Sequence, residues 1–173
     1  MMILKRLFQK QDRTVRPVYE AIVAAARHPV PYADWGVEDT IDGRFDMIAL
    51  HAFLVLDRLK GSAEAFRQEL VDELFRDMDR SLREMGVGDI SVGKKVRKMA
   101  EVFYGRVAAY DKALVEDRDA LEQALARNIY PGGAPDAGLA ALASHVIALR
   151  DDLAAQSADD ILKGRITFRE PSP

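Results

Sequence analysis

The chain has 173 residues, 49% of them hydrophobic and 31% charged, the proportions of a folded globular protein of about one domain. Its formal charge of −3 argues against general nucleic-acid or anionic-membrane binding over the whole surface, and no apolar run reaches the roughly 18 residues that a membrane-spanning helix needs. There is no cysteine, which excludes disulfides, iron–sulfur clusters, thiolate zinc sites and cysteine nucleophiles and agrees with a reducing compartment.

Residues 1–16 stand apart: Lys5, Arg6, Lys10, Arg13 and Arg16 face only Asp12, a local charge of +4. Ile3, Leu4, Leu7 and Phe8 recur at helical spacing, fitting a short amphipathic basic helix. Two readings stay open here, weak contact with a membrane surface or partner and a frayed, solvated end. Neither the apolar core nor the cleavage site of a secretory signal is present.

From Thr14 the pattern is helical, with Pro17 suited to the first turn and Val18, Ile22, Val23 and Ala26 in one stripe. His28-Pro29-Val30-Pro31 stops it, because a residue before proline is pushed out of the α region. Residues 32–46, YADWGVEDTIDGRFD, show no period and read as a long loop, a kind of segment that is usually functional or disordered. Tyr32 and Trp35 favour packing over disorder.

Phe45 to Lys60 reads as a buried helix ending at Gly61. Ser62 is the expected cap of the next helix, whose face carries Phe66, Leu70, Leu74, Met78, Leu82 and Met85. Gly86 is its expected left-handed end, with Val87 folding back. Ser91 is expected to open a long helix with Val92, Val96, Met99, Phe103, Val107, Tyr110 and Leu114 in one stripe. Asp119 and Glu122 suggest a capping box for a shorter helix to Ile129. After the Pro131–Pro135 break, Asp136 is the expected cap of an alanine-rich helix. ILKG, residues 161–164, suggests one more turn, and residues 165–168 an extended piece. No internal repeat or sheet-forming alternation occurs. The expectation is an all-α, single compact domain of about six helices, in which residues 1–16 form a basic amphipathic N-terminal segment, 17–131 the main helical unit and 132–173 a C-terminal helix and tail on the same domain.

Catalytic signals are weak. No two of His28, His51 and His145 have the spacing that sets two imidazoles on one helical face, and His51, in the most apolar helix, reads as a core residue. Gly88 to Lys95 (GDISVGKK) nearly spells a phosphate-binding loop, but lysine replaces the hydroxyl that would hold magnesium, and no buried strand precedes it. The carboxylates of 62–85 alternate with Arg76, Arg80 and Arg83 as surface pairs rather than as a metal site. Met47, Met78, Met85 and Met99 could line an adaptable groove, although their spacing is that of a core.

Charge placement says more. Residues 62–85 hold seven acids and four basic residues, whereas residues 86–112 hold three acids and six basic ones. At about 100° per residue, Lys94, Lys98, Glu101 and Gly105 share one arc opposite Val96, Met99 and Phe103. Gly105 is therefore an exposed glycine inside a helix, at a cost of about 1 kcal/mol relative to alanine. Either another backbone approaches closely there, or the glycine is incidental on a solvated face.

Five stretches, GVEDTIDGRFD (36–46), LHAFLVLDRL (50–59), LFRDMDRSLREMGVGDISVGKKVRKM (74–99), FYGRVAAY (103–110) and RNIYP (127–131), resemble the ubiquinol–cytochrome c chaperone family. The block from Asp77 to Lys94 is the specific part, and the similarity spans roughly residues 17–131. The resemblance implies a non-enzymatic assembly factor, without a cofactor, that binds newly made cytochrome b and supports assembly of ubiquinol–cytochrome c reductase. It further implies a possible ribosome contact, no direct recognition of nucleic-acid sequence, and a cytoplasmic protein peripheral to the inner membrane of a bacterium. A haem- or quinone-binding helical protein and a homo-oligomeric scaffold without a client are the alternatives.

The same resemblance assigns the surface. Asp77, Asp79, Arg83, Glu84 and Asp89 would form an acidic side, and Lys94, Lys98, Tyr104, Gly105 and Arg106 a basic side. Gly86, Gly88 and Gly93 would shape the turn between them, while Gly43, Arg44 and Asp46 would brace the long loop. Asp46 could equally be a helix cap. Lys94, Lys98, Gly105 and Arg106 are the expected contact set.

Overall fold

The computed structural model describes residues 14–173; the proposed basic helix of residues 1–16 therefore lies almost wholly outside the described residues. Eight helices follow one another, with no strand among the described residues: α1 Val15–Ala26, α2 Pro29–Ala33, α3 Ile41–Arg58, α4 Glu64–Glu84, α5 Asp89–Glu116, α6 Arg118–Ile129, α7 Asp136–Ala155 and α8 Ala158–Leu162. Six of these are the anticipated long helices, and α2 and α8 are five-residue turns.

Helix α3 is the axis of the structure. Every residue from Phe45 to Leu56 is buried, the pattern of a helix apolar all round, and α1, α5, α6 and α7 all pack on it. Helix α4 closes against α1 and α5, and α6 bridges α5 and α7. Phe53 and Tyr110 meet at 5.6 Å between ring centres in the α3–α5 seam.

Several expected starts move once chain geometry is visible. Ser62 does not cap α4; its hydroxyl donates to the Leu59 carbonyl at 3.1 Å, and the chain turns through left-handed Gly61 and Ala63, φ +76° and +52°. Helix α5 begins at Asp89, not Ser91, with Gly88 as N-cap, which sets the Asp89 carboxylate at the positive end of the helix. In α6 the cap is Asp117, whose carboxylate accepts from Ala120 N at 2.8 Å, rather than Asp119. Helix α7 is entered from Pro135, with Asp136 in its first turn.

The long loop is much shorter than its sequence suggested. His28 caps α2 by accepting from Val30 N through Nδ1 at 3.3 Å, and Pro29 occupies the first helical position, where its missing N–H costs nothing. With α3 starting at Ile41, only residues 34–40 are irregular. Those residues are pinned in place: Trp35 and Val37 are buried, and the Trp35 carbonyl accepts from Tyr130 Oη at 3.0 Å. Gly138 of α7 sits so close that a Cβ there would lie 2.1 Å from the same carbonyl.

The C-terminal segment runs back over the body without regular structure. Gln156 and Thr167 exchange two hydrogen bonds of 2.9 Å, Arg169 grips Asp152 at 2.8 and 2.9 Å, and Phe168 sets its ring edge-on to buried His51 at 5.8 Å.

Candidate interaction surface

Helices α4 and α5 form a hairpin whose turn is a Schellman motif. Gly86 N donates to Arg83 O at 2.9 Å and Val87 N to Leu82 O at 3.0 Å; Gly86 supplies the left-handed residue, φ +84°, that this closure requires. Burial along the hairpin falls away beyond residue 78. Between residues 79 and 98 only Leu82 and Val92 are buried, and neither belongs to the main core. The segment that nearly spelled a phosphate loop is helical from Asp89 onward and so is not a loop.

On α5 the outward arc is open. Lys94, Lys98, Tyr104 and Gly105 are exposed, and a Cβ built on Gly105 would meet no atom within 4 Å. The fold itself therefore gives no reason for glycine at 105. Gly93 and Gly88 are equally unencumbered. Tyr104 stacks edge-on against Phe103 at 5.4 Å and keeps its outer side in solvent; partial burial, and then the Asp72 carboxylate, raise its phenol pKa.

Arg106, expected in the contact set, is turned inward. Its Nη1 donates to Asp46 Oδ1, and its guanidinium lies 6.0 Å from the Phe45 ring centre. Asp46 is accordingly no helix cap: Thr40 caps α3, accepting from Gly43 N at 3.0 Å, while Asp46 is buried one turn later. Gly43 lies directly beneath the Glu38 carbonyl, which a Cβ would approach to 2.0 Å. Arg44 pairs with Asp39 at 2.6 Å on the surface.

The acidic residues do not share one face. Asp77 is mostly buried and accepts from Tyr19 Oη at 2.8 Å; burial, with Asp77 beside it, pushes the Tyr19 phenol far up. Glu84 and Asp77 border a cleft of about 500 Å³ between α1 and α4, together with Arg16, Arg27 and Arg80. Asp89 is at the hairpin turn, paired with Arg83, which also holds Asp79. Sequence spacing located the α5 arc but could not reveal the Asp46–Arg106 pair, which joins residues 60 apart.

The histidines are committed to the fold. His51 is buried with Nδ1 2.8 Å from Met47 O, and His145 packs on Trp35 at 5.4 Å. Met47 and Met78 are buried while Met85 is exposed, so the four methionines do not line one groove.

The fold and this surface define a helical binding-type protein whose α4–α5 hairpin ends in a charged, largely exposed surface. The chain belongs to the ubiquinol–cytochrome c chaperone family, whose profile matches residues 33–168 and so reaches well past residue 131, where the recognisable motifs end. It is 42% identical to a solved Cbp3 homolog from Brucella abortus, with a TM-score of 0.82 over 98% of this chain and 96% of that one. Ubiquinol-cytochrome-c reductase complex assembly factor 1 from Xenopus laevis is 28% identical over 94 residues, 53% of this chain. The match spans 47% of that relative's length, so this chain aligns with about half of it.

Proposed function

We propose that this protein is a non-enzymatic assembly chaperone for ubiquinol–cytochrome c reductase, binding newly made cytochrome b at the cytoplasmic face of a bacterial inner membrane, near the ribosome that makes it. The observation that carries the reading is the family match, because its 136 residues include the whole α4–α5 hairpin. The end-to-end similarity to the Cbp3 homolog and the assembly role in the name of the Xenopus relative support it. No bond chemistry is needed: charge and shape on the α5 arc, at Lys94, Lys98, Tyr104 and Gly105, would hold the client. Glycine at 105 fits this use, since it lets a partner backbone come closer than any side chain would allow. Arg106 and Asp46 serve by holding α5 on α3, and Asp77, Glu84 and Asp89 would flank the arc rather than form it.

The test is affinity purification with crosslinking from the native host, comparing wild type with Lys94→Glu/Gly105→Leu. Cytochrome b should be recovered with wild type and lost with the folded double variant. Equal recovery would keep the client and move the site; no recovery with either protein would overturn the reading.

A further inference from the structure

The far end of the hairpin shares Lys94 and Lys98 with the α5 arc but carries further exposed groups, Met85, Ile90, Lys95 and Arg97, that client binding through that arc does not use. Met85 and Ile90 are 52% and 85% exposed, on opposite sides of the Gly86–Gly88 turn. On α5, Lys94 and Arg97 follow Ile90 at i+4 and i+7, so all three share one outward face, with Lys95 and Lys98 beside it. Of these four cations only Lys98 makes an ion pair among the described residues, with Glu101 at 3.5 Å. Residues 83–98 carry five cations against Glu84 and Asp89 in a chain whose net charge is −3, and Asp89 is already taken by Arg83.

We infer that the hairpin tip docks on an anionic lipid bilayer. Ile90 and Met85 enter the headgroup layer, and Lys94, Lys95, Arg97 and Lys98 meet the lipid phosphates. The pairing of bare aliphatic side chains with unpaired lysine and arginine is the chemistry of an interfacial segment. A nucleic-acid backbone would use the cations but would gain little from an isolated isoleucine. No described helix is long and apolar enough to cross a membrane, so this contact is peripheral. The proposal deepens the reading above by saying where the chaperone meets its client's membrane, and it is tested on lipid alone, so its failure leaves the client reading standing.

The absence of cysteine makes the test clean. An environment-sensitive fluorophore is attached to full-length Ile90→Cys, and separately to Val115→Cys, a 77% exposed site at the other end of α5. With vesicles of equal parts phosphatidylcholine and phosphatidylglycerol at low salt, the label at position 90 should brighten and shift to the blue. The label at 115 should not move, and pure phosphatidylcholine should give no response at either site. Adding Lys94→Glu/Arg97→Glu should weaken the vesicle response at least about thirtyfold, and raising the salt should reverse it. Circular dichroism would verify that each variant is folded. A silent label at 90 on protein that still sediments with the vesicles would overturn the proposal and move the contact elsewhere, for example to the basic residues of 1–16. A response at 90 to polyuridylate but not to vesicles would overturn it in favour of RNA.

Discussion

Arg106 on α5 donates to Asp46 on α3, with side chains only 16% and 7% exposed, so the base of the hairpin is fixed to the central helix by a nearly dry ion pair. Removing one member of such a pair leaves an uncompensated charge in the interior. Arg106→Ala should therefore cost about 3–5 kcal/mol, whereas Arg106→Met together with Asp46→Leu should recover most of the loss. Urea unfolding of the two variants checks both; equal destabilisation by single and double changes would contradict the pairing.

Gly105 has the opposite character. Nothing in the fold occupies the space a Cβ would take, so Gly105→Ala should raise stability by about 1 kcal/mol through helix propensity alone. If the glycine serves close approach of a client, the same change should lower cytochrome b recovery while raising the thermal midpoint. The two readouts moving apart is the signature of a binding role.

Gly43 and Gly138 should not tolerate that substitution. Their Cβ atoms would fall 2.0 and 2.1 Å from the backbone carbonyls of Glu38 and Trp35, neither of which is a movable side-chain tip. Each alanine variant should lose about 1–3 kcal/mol by forcing the backbone apart. For Gly138→Ala, the fluorescence of Trp35, the one tryptophan in the chain, should change even before unfolding.

Stability should fall in mild acid. Burial, only partly offset by the Met47 carbonyl, pushes His51 from 6.5 down to about 4. His145 is also brought down to about 4, by burial first and then by His51, Arg169 and His28, with Asp152 opposing. Both rings are neutral in the fold, so between about pH 6.5 and 4 the unfolded chain binds more protons. Stability is then full above that window and declines through it as pH drops, by up to about 1.4 kcal/mol per pH unit for each ring. Urea midpoints at pH 7.5, 6 and 5 would show it, and a profile flat over that range would contradict it.

Arg58 holds the end of α7, donating to the carbonyls of Leu153 and Gln156 at 2.8 Å each. Arg58→Ala should cost about 1–3 kcal/mol, because charge-assisted bonds to two carbonyls at the helix end are lost. Hydrogen exchange should report the damage first around residues 153–156.

Periodicity located the long helices because each buries one stripe or, for α3, its whole circumference. The Gly86 closure was equally readable, since a left-handed C-terminal glycine followed by an apolar residue is a local requirement. Local signals misplaced Ser62, Ser91, Asp119 and Asp136 because a polar residue near a helix start can cap only if the incoming chain has the right direction. The supposed 15-residue loop looked structureless because its order comes from Tyr130 and Gly138, nearly a hundred residues away.

The candidate surface divides along the same line. Hydrophobic spacing and charge order, which are properties of neighbours, were enough to specify an all-α chain with an acidic helix, a glycine turn and a basic helix whose outward arc holds Lys94, Lys98 and Gly105. The packing of distant helices settled what spacing could not, that Ile90 stands in the open at the hairpin tip while Arg106 turns in to Asp46. Which side chains are left without a partner depends on which helices pack, and that depends on contacts between residues far apart in the chain.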